Sequence, residues 1–148
     1  MGKQDVMAKI LPDGKGVWVP IDHGVTDFPC VGLENIEATI TAIIAGGANV
    51  IVAHKGVVDK YSHLCEGTAT SMIAHLSAST RHGGKNHSNK VLVGDVDEAI
   101  MRGAVGVSVQ VNIGSKKEST MLQRMGHITS EAFLNQVPVL GMLYVRGE

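Results

Sequence analysis

The feature that most constrains the fold of this chain is an alternation of short apolar runs with segments of helical periodicity. The apolar runs, rich in Val, Ile and Leu, predict strands at 16–22, 49–56, 70–79, 105–115 and 138–147. The helical periodicity falls at 34–48, within 91–104 and at 117–137. Strands that alternate with helices form right-handed βαβ units, so the pattern predicts a parallel sheet covered on both faces.

Two helix boundaries can be assigned from the same sequence. Gly46 and Gly47 follow the helical period of 34–48 and are typical of a helix C-terminus. Asp95 precedes the helix within 91–104, and Glu98 follows three residues later, which is the spacing of a capping box.

The polar residues at the strand ends distinguish between two folds. A TIM-type (β/α) barrel builds its active site from the C-terminal ends of several strands. An open doubly wound sheet instead places its ligand at one switch point, usually with a glycine-rich phosphate turn. No such turn follows the first predicted strand, and polar groups end every predicted strand: Asp22 and His23, His54 and Lys55, Ser77 and Ser79, Asn112, Tyr144 and Arg146. The sequence therefore favours the barrel, and a flavodoxin-like sheet that binds a nucleotide is the weaker alternative.

The number of strands is smaller than a closed barrel requires. A TIM barrel has eight βα units and typically about 250 residues, whereas this chain has 148 residues and five predicted strands. We expect residues 1–148 to form a single α/β domain, a partial TIM-type barrel with about five of the eight βα units. Its unpaired strand edges leave a second possibility, a catalytically inactive barrel fragment that serves in assembly or binding.

Composition excludes several classes of partner. The chain has 13 Lys and Arg against 14 Asp and Glu, with no basic stripe, which argues against nucleic acid and against an anionic membrane surface. No apolar run reaches the ~18–20 residues of a membrane span, and residues 1–16 lack the apolar region of a signal peptide. Cys30 and Cys65 are too few for a disulfide framework, so we expect a reduced, cytoplasmic protein.

The histidine-containing segment RHGGKNHSNK, residues 81–90, raises the question of a metal site. It contains His82 and His87, but the sequence has no C-x-x-C or H-E-x-x-H pattern. We therefore predict no metal here. A Gly/Asn-rich loop at the barrel mouth, acting as a lid or as a phosphate contact, is the favoured interpretation.

Five stretches together carry a resemblance that covers nearly the whole chain. In order they are VPIDHGVTDFPCVGLENI, GGANVIVAHKG, IAHLSAST, VDEAIMRGAVGVSVQVNIGS and PVLGMLYVRG. In this order, and each at a predicted strand end, they resemble the archaeal-type class I aldolase family. The family includes fructose-1,6-bisphosphate aldolases and heptulosonate synthases, which are (β/α)8 barrels that form a lysine Schiff base. The stretches VNIGS, HLSAS and AHKG resemble the heptulosonate synthase branch more than the sugar aldolase branch.

The resemblance implies roles for individual residues. The acid–base aspartate of the family falls on Asp22, and its tyrosine proton donor, in a Tyr-Pro-Arg-Gly motif, falls on Tyr144. Here the motif reads Tyr-Val-Arg-Gly, with Val145 in place of proline. The Schiff-base lysine of the family lies at the end of the sixth strand, downstream of these residues. The resemblance also implies that no metal or organic cofactor is needed and that the protein forms homo-oligomers.

Four further residues are candidates for binding substrate. Lys55 is the only lysine at a predicted strand end, so the residues alone nominate it as the imine former; a lysine that pairs with Asp22 or binds a phosphate is the alternative. The resemblance favours that alternative, and Lys55 and Arg146 are expected to supply positive charge. His23 and His54 would orient substrate or hold Asp22, unless they are strand-end histidines bonded to backbone carbonyls.

The implied reaction is an aldol cleavage, condensation or transfer. Such a reaction creates a carbanion beside a carbonyl, and a protonated lysine imine is a good electron sink for it. A carboxylate and a tyrosine can then move the protons. The resemblance thus implies a class I aldolase or transaldolase that acts on phosphorylated keto-sugars in aromatic amino acid biosynthesis. Class I fructose-1,6-bisphosphate aldolase is the alternative.

Overall fold

The strands of the protein form one parallel sheet and one short antiparallel pair. The structure is a computed structural model that describes residues 2–146, apart from the side chain of Asn86. In chain order the strands are β1 Trp18–Pro20, β2 Val50–His54, β3 Ser71–His75, β4 Ser77–Ala78, β5 Val91–Leu92, β6 Gly106–Ile113 and β7 Val139–Val145. Gly147, which ends both the last predicted strand and the Tyr144 motif, lies outside the described residues.

The helices separate these strands along most of the chain. Within the described residues they are α1 Lys3–Ile10, α2 His23–Thr26, α3 Ile36–Ala45, α4 Lys55–Tyr61, α5 Val96–Met101 and α6 Glu118–Leu134. The helices predicted within 34–48, 91–104 and 117–137 are confirmed as α3, α5 and α6.

Two of the predicted strands differ from those observed. The strand predicted at 70–79 is two strands, β3 and β4, because the chain leaves the main sheet at Leu76 and β4 pairs with β5 instead. The strand predicted at 49–56 ends at His54, and Lys55 begins α4.

The order of the strands excludes the open-sheet alternative. The main sheet runs β1-β2-β3-β6-β7, and each strand is parallel to its neighbours. Strands therefore follow one another in chain order without a reversal. A doubly wound sheet reverses its order at a switch point, so the flavodoxin-like interpretation is wrong. The sheet is that of a TIM-type barrel, with five of its strands.

The two faces of the sheet hold different apolar clusters. On the outer face, Ile51, Ala53 and Met72 pack with residues of α3, α4, α5 and α6. On the inner face, Val50, Val52 and Ile73 form a second cluster, against which Trp18, Leu140 and Met142 pack. Since alternate residues of a strand point to opposite faces, Trp18, Leu140 and Met142 point inward.

Helix α1, which the sequence analysis did not predict, covers the N-terminal end of the inner face. Val6 and Ile10 are buried in the inner cluster, one helical turn apart. The Trp18 Nε1–H group donates to the Ile10 carbonyl oxygen at 2.9 Å. A Cβ on Gly16 would lie 2.5 Å from that same oxygen, so glycine is required there. Two apolar residues among charged ones were too weak a periodic signal to predict α1.

Two predicted helix boundaries are confirmed, and one detail is wrong. The Asp95 side chain accepts from the Glu98 backbone N–H at 2.8 Å, as an N-cap does. Gly46 caps the C-terminus of α3, and Gly47 adopts φ +77°. The Glu98 side chain does not complete a capping box, because it binds Lys55 and Arg102 instead.

The burial of α1 generates a stability prediction. Ile10 is 1% exposed, and Ile10→Ala removes buried methyl groups and leaves a cavity. We expect a loss of about 2–4 kcal/mol in the free energy of unfolding, measured by urea denaturation. Met7 of the same helix is 36% exposed, so Met7→Ala is the matched control and should cost much less. Equal losses for both variants would show that α1 does not seal the inner face.

Candidate active site

The inward-facing residues of the strands change from apolar to polar toward the C-terminal edge of the sheet. On β2 the inner residues run Val50, Val52, His54, and on β7 they run Leu140, Met142, Tyr144. On β3, His75 follows Ile73 on the inner face, and on β6 the inner residues are Ser108, Gln110 and Asn112. The polar groups of neighbouring strands therefore lie side by side at one edge, as a barrel active site requires.

A cavity of about 310 Å³, here called the mouth pocket, lies at this edge. It is lined by Pro20, Asp22, His23, Thr26, Asp27, Lys90, Gln110, Met142, Tyr144 and Arg146. The structure thus brings together four of the six predicted site residues: Asp22, His23, Tyr144 and Arg146. The Arg146 guanidinium carbon lies 5.3 Å from the centroid of the Tyr144 ring, which places positive charge beside the phenol.

A second cavity of about 220 Å³, here called the loop pocket, adjoins the first. It shares five lining residues with the mouth pocket and is otherwise lined by Ser79, Arg81, His87, Ser88 and Asn112. The shared residues are Thr26, Asp27, Lys90, Gln110 and Arg146. The two pockets therefore form one continuous depression at the edge of the sheet.

Asp22 is supported from behind by a buried histidine. His75 Nε2 lies 3.7 Å from Asp22 Oδ2, and His75 Nδ1 lies 2.6 Å from Ser108 Oγ. Burial lowers the pKa of His75 to about 4, although the Asp22 charge acts in the opposite direction. At neutral pH the His75 ring is therefore uncharged. The neutral ring lies against the Asp22 carboxylate at 3.7 Å without forming an ion pair with it.

His54 lies beside His75 rather than in the pocket. Its Nδ1 is 3.1 Å from the His75 carbonyl oxygen, which can only accept, so Nδ1 carries the hydrogen. The two rings are 5.4 Å apart between centroids. Burial lowers the pKa of His54 as well. Among the described residues His54 is outside the lining of both pockets, and its predicted substrate contact stays a prediction.

Lys55 has a different partner from the one considered in the sequence analysis. Its Nζ lies 3.0 Å from Glu98 Oε2, and Arg102 holds the other oxygen of the same carboxylate at 2.8 Å. Hydrogen bonds from Lys55 and Arg102 lower the pKa of Glu98. These ion pairs link α4 to α5. Among the described residues, Lys55 is outside the lining of both pockets. Its predicted role in binding substrate is untested by this arrangement.

Two residues of the site were missed by the sequence analysis. His75 had a usable signal, since IAH in β3 repeats VAH in β2 and His54 is opposite His75 in the sheet. Lys90 ends the Gly/Asn-rich loop of residues 81–90 and was not singled out as a site residue. It is 7% exposed and lines both pockets, and its Nζ donates to Thr26 Oγ1 at 3.4 Å.

Neither a metal centre nor a membrane-spanning helix is found in the part of the chain that the structure describes. Its His, Cys, Asp and Glu residues form no group of three or more placed to hold a metal ion. Its helices all fall short of the length and apolar character needed to cross a membrane.

A parallel barrel-type sheet with charged and polar side chains at its C-terminal edge places the chain in the class of β/α-barrel proteins. Sequence comparison gives the family: the DeoC/LacD family aldolase model matches residues 16–148. The chain belongs to the DeoC/LacD aldolase family.

Individual relatives agree with this assignment. The chain is 35% identical over 147 residues to 2-amino-3,7-dideoxy-D-threo-hept-6-ulosonate synthase 1 of Archaeoglobus fulgidus, covering 99% of this chain and 55% of the relative. It is 36% identical over 129 residues to 2-amino-4,5-dihydroxy-6-oxo-7-(phosphonooxy)heptanoate synthase of Streptomyces griseus, covering 87% and 46%. The chain spans about half the length of the curated relatives it matches.

A solved structure confirms the fold. An archaeal fructose-1,6-bisphosphate aldolase, solved with its catalytic Lys covalently bound to the carbinolamine intermediate of the substrate, superposes with a TM-score of 0.81. The match covers 97% of this chain and 57% of that chain at 22% sequence identity. At this identity the match establishes the shared TIM-barrel-type fold.

The buried His75 generates a prediction on pH dependence. Its pKa is about 4 in the folded protein, against about 6.5 when unfolded, so between these values the unfolded chain binds more protons. The stabilising contribution of the neutral ring is complete above about pH 6.5 and is lost as the pH falls toward 4. We expect His75 to account for about 3 kcal/mol of the acid destabilisation at most.

The measurement is urea denaturation across this pH range for the native chain and for His75→Asn, which preserves a polar atom facing Ser108. The variant should lose less stability than the native chain as the pH falls. His63 is exposed, so His63→Asn is the control and should keep the native profile. Identical profiles for the native chain and His75→Asn would contradict the assignment.

Proposed function

We propose that this chain supplies the first five βα units of a Schiff-base class I aldolase or transaldolase that acts on phosphorylated keto-sugars. The particular activity proposed is that of 2-amino-3,7-dideoxy-D-threo-hept-6-ulosonate synthase. The observation that carries the proposal is the convergence of Asp22, Tyr144 and Arg146 on one pocket at the C-terminal edge of a barrel-type sheet. Membership of the aldolase family and the 35% identity to the Archaeoglobus fulgidus synthase support it.

In this proposal Asp22 moves the proton of the hydroxyl that is made or broken. A carboxylate held within reach of a substrate hydroxyl can act as a general base and return the proton as a general acid. Contact with the neutral His75 ring restricts the orientation of Asp22, because His75 is itself fixed by Ser108. His75 is therefore a positioning residue.

Tyr144 and Arg146 are proposed to act on the opposite side of the same pocket. The Tyr144 hydroxyl exchanges a proton with the carbon or oxygen that carries the developing charge, and Arg146 stabilises negative charge beside it. The imine lysine that the family resemblance implies belongs to a sixth strand. Parallel pairing along the β7 edge would place such a strand next to Tyr144.

The choice between the two branches of the family depends on sequence rather than on fold. Fructose-1,6-bisphosphate aldolase structures match at 22–23% identity, which supports only a common fold. The relatives at 35–36% identity are synthases of amino-heptulosonate type, and one has a phosphonooxy group in its name. The synthase activity is therefore the first candidate, and the phosphorylated sugar is its proposed substrate.

Location and assembly belong to the same proposal. Cys30 and Cys65 are both free thiols, which is consistent with work in a reducing cytoplasm. The edge strands β1 and β7 have one neighbour each in the main sheet of the described residues. Unpaired edges favour pairing with further strands, which fits both the sixth strand proposed above and the association of a barrel fragment. The homo-oligomer is proposed from the family resemblance.

The roles of Asp22 and Tyr144 are tested in a chimera in which the C-terminal part of the Archaeoglobus fulgidus relative follows Glu148. Asp22→Asn and Tyr144→Phe preserve size and remove the proton-transferring group. We expect each to lower kcat by about 10²–10⁴-fold in an aldol turnover assay. Lys15→Gln, an exposed change at the opposite end of the sheet, is the control. Unchanged turnover in both site variants would refute these roles.

Borohydride trapping tests the position of the imine lysine and the alternative of an inactive fragment. The chain and the chimera are each incubated with dihydroxyacetone phosphate, reduced, and analysed by intact mass and peptide mapping. We expect an adduct in the chimera alone, on a lysine of the added part. An adduct on Lys55 or Lys90 would show that these residues form the imine themselves. Absence of an adduct in both proteins would favour the inactive fragment.

A further inference from the structure

The loop pocket has a charge pattern that its own residues do not balance. Lys90, Arg81 and Arg146 line it, and Asp27 is the one carboxylate among the described lining residues. Within those residues no carboxylate oxygen lies within 4.0 Å of any of the three cations. Positive charge therefore outweighs negative charge by two in a partly enclosed space, which favours an anion.

Lys90 is the most constrained of these cations. It is 7% exposed, and the contact of its Nζ is a neutral hydroxyl, Thr26 Oγ1 at 3.4 Å. Burial lowers the pKa of Lys90, and the Arg146 charge lowers it further, while the carboxylate of Asp22 acts against both. A buried ammonium held near a second cation is stabilised when an anion binds between them.

The loop pocket also contains a hydroxyl that lacks a hydrogen-bond partner within the described residues. Ser79 Oγ is buried and has no hydrogen-bond partner within the described residues. Buried hydroxyls are nearly always hydrogen-bonded, and an unpaired one costs free energy. Ser79 lines the loop pocket together with Thr26 and Ser88. An anion with several acceptor oxygens would satisfy Ser79 and accept from the cations at once.

Hydrogen bonds fix the main chain of the three residues that carry these cations. Arg124 of α6 donates to the Lys90 carbonyl oxygen at 2.6 Å, and the Lys90 N–H lies 3.4 Å from Met121 Sδ. The Arg81 N–H donates to the Thr26 carbonyl at 3.1 Å, and the Arg146 N–H donates to the Ile113 carbonyl at 2.8 Å. A fixed main chain reduces the conformational entropy that these residues lose when an anion binds.

Size and position limit what the anion can be. A volume of about 220 Å³ is below the range of about 300–1,000 Å³ typical of sites for whole drug-sized ligands. It suits one end of a ligand whose remainder lies in the mouth pocket, because Lys90 and Arg146 line both. Two excess positive charges match a dianion better than a monoanion.

We propose that the loop pocket binds a phosphate monoester, through Lys90, Arg81, Arg146 and Ser79, and so anchors one end of a substrate whose reacting carbons face Asp22 and Tyr144. Only the anchoring of a substrate beside Asp22 and Tyr144 rests on the proposed function. Phosphate binding itself requires neither an imine nor any aldol chemistry. Failure of the anion site and failure of the aldolase assignment are therefore separable.

The test is calorimetric titration of the 148-residue chain with inorganic phosphate at low ionic strength. We expect saturable binding that Lys90→Gln weakens at least about tenfold and Arg81→Gln about threefold or more, since each removes a charge-assisted hydrogen bond. Lys15→Gln removes the same charge from an exposed site at the other end of the sheet and should leave phosphate affinity unchanged. Equal affinity in Lys15→Gln and Lys90→Gln would overturn the proposal.

Ser79→Ala separates a binding role from a structural one. Because Ser79 Oγ has no partner among the described residues, its loss should leave the melting temperature unchanged or higher. The same variant should bind phosphate about threefold more weakly or worse. This result stands even if Lys90→Gln fails to fold. Native phosphate affinity in Ser79→Ala, or acetate binding as tight as phosphate binding, would contradict the proposed site.

Discussion

Alternation of side chains between the two faces of each parallel strand decides where both the core and the candidate site of this protein lie. On the outer face the strands are apolar along their length and bury the helices α3 to α6. On the inner face β2 and β7 change from apolar residues to His54 and Tyr144 toward their C-terminal ends, and β6 is polar from Ser108 to Asn112. The inner apolar cluster thus lies directly next to the polar residues of the candidate site. A one-residue slip in strand register would turn these polar residues toward the outer helices.

The buried His75 on β3 shows how a polar side chain is accommodated inside this sheet. His75 is 2% exposed and bonds to Ser108 on the neighbouring strand, so its burial is compensated by a short hydrogen bond. Because the ring is neutral at pH 7, it lies against the Asp22 carboxylate without forming an ion pair with it. Lys90 is the opposite case, a buried cation that forms no ion pair within 4.0 Å among the described residues.

Sequence periodicity predicted the elements that contribute to the sheet and to the outer helices, and it placed Asp22, His23, Tyr144 and Arg146 at one edge. These follow from local patterns, because the strand period fixes faces and parallel order fixes ends. Contacts across long separations were not predictable in this way. The Lys55–Glu98 pair spans 43 residues, and the packing of 81–90 on α6 depends on side chains from another part of the chain. Helix α1 was missed because its stability comes from tertiary packing rather than from its own pattern.

Helix α1 also determines from which end small molecules can reach the inner face of the sheet. It fills the inner face at the end opposite the pockets, with Val6 and Ile10 packed against Val50 and Ile73. The inner face of the described half-barrel is therefore closed at the end where α1 packs. Small molecules can therefore reach the polar edge of the inner face only from the end that carries the pockets, as far as the described residues are concerned.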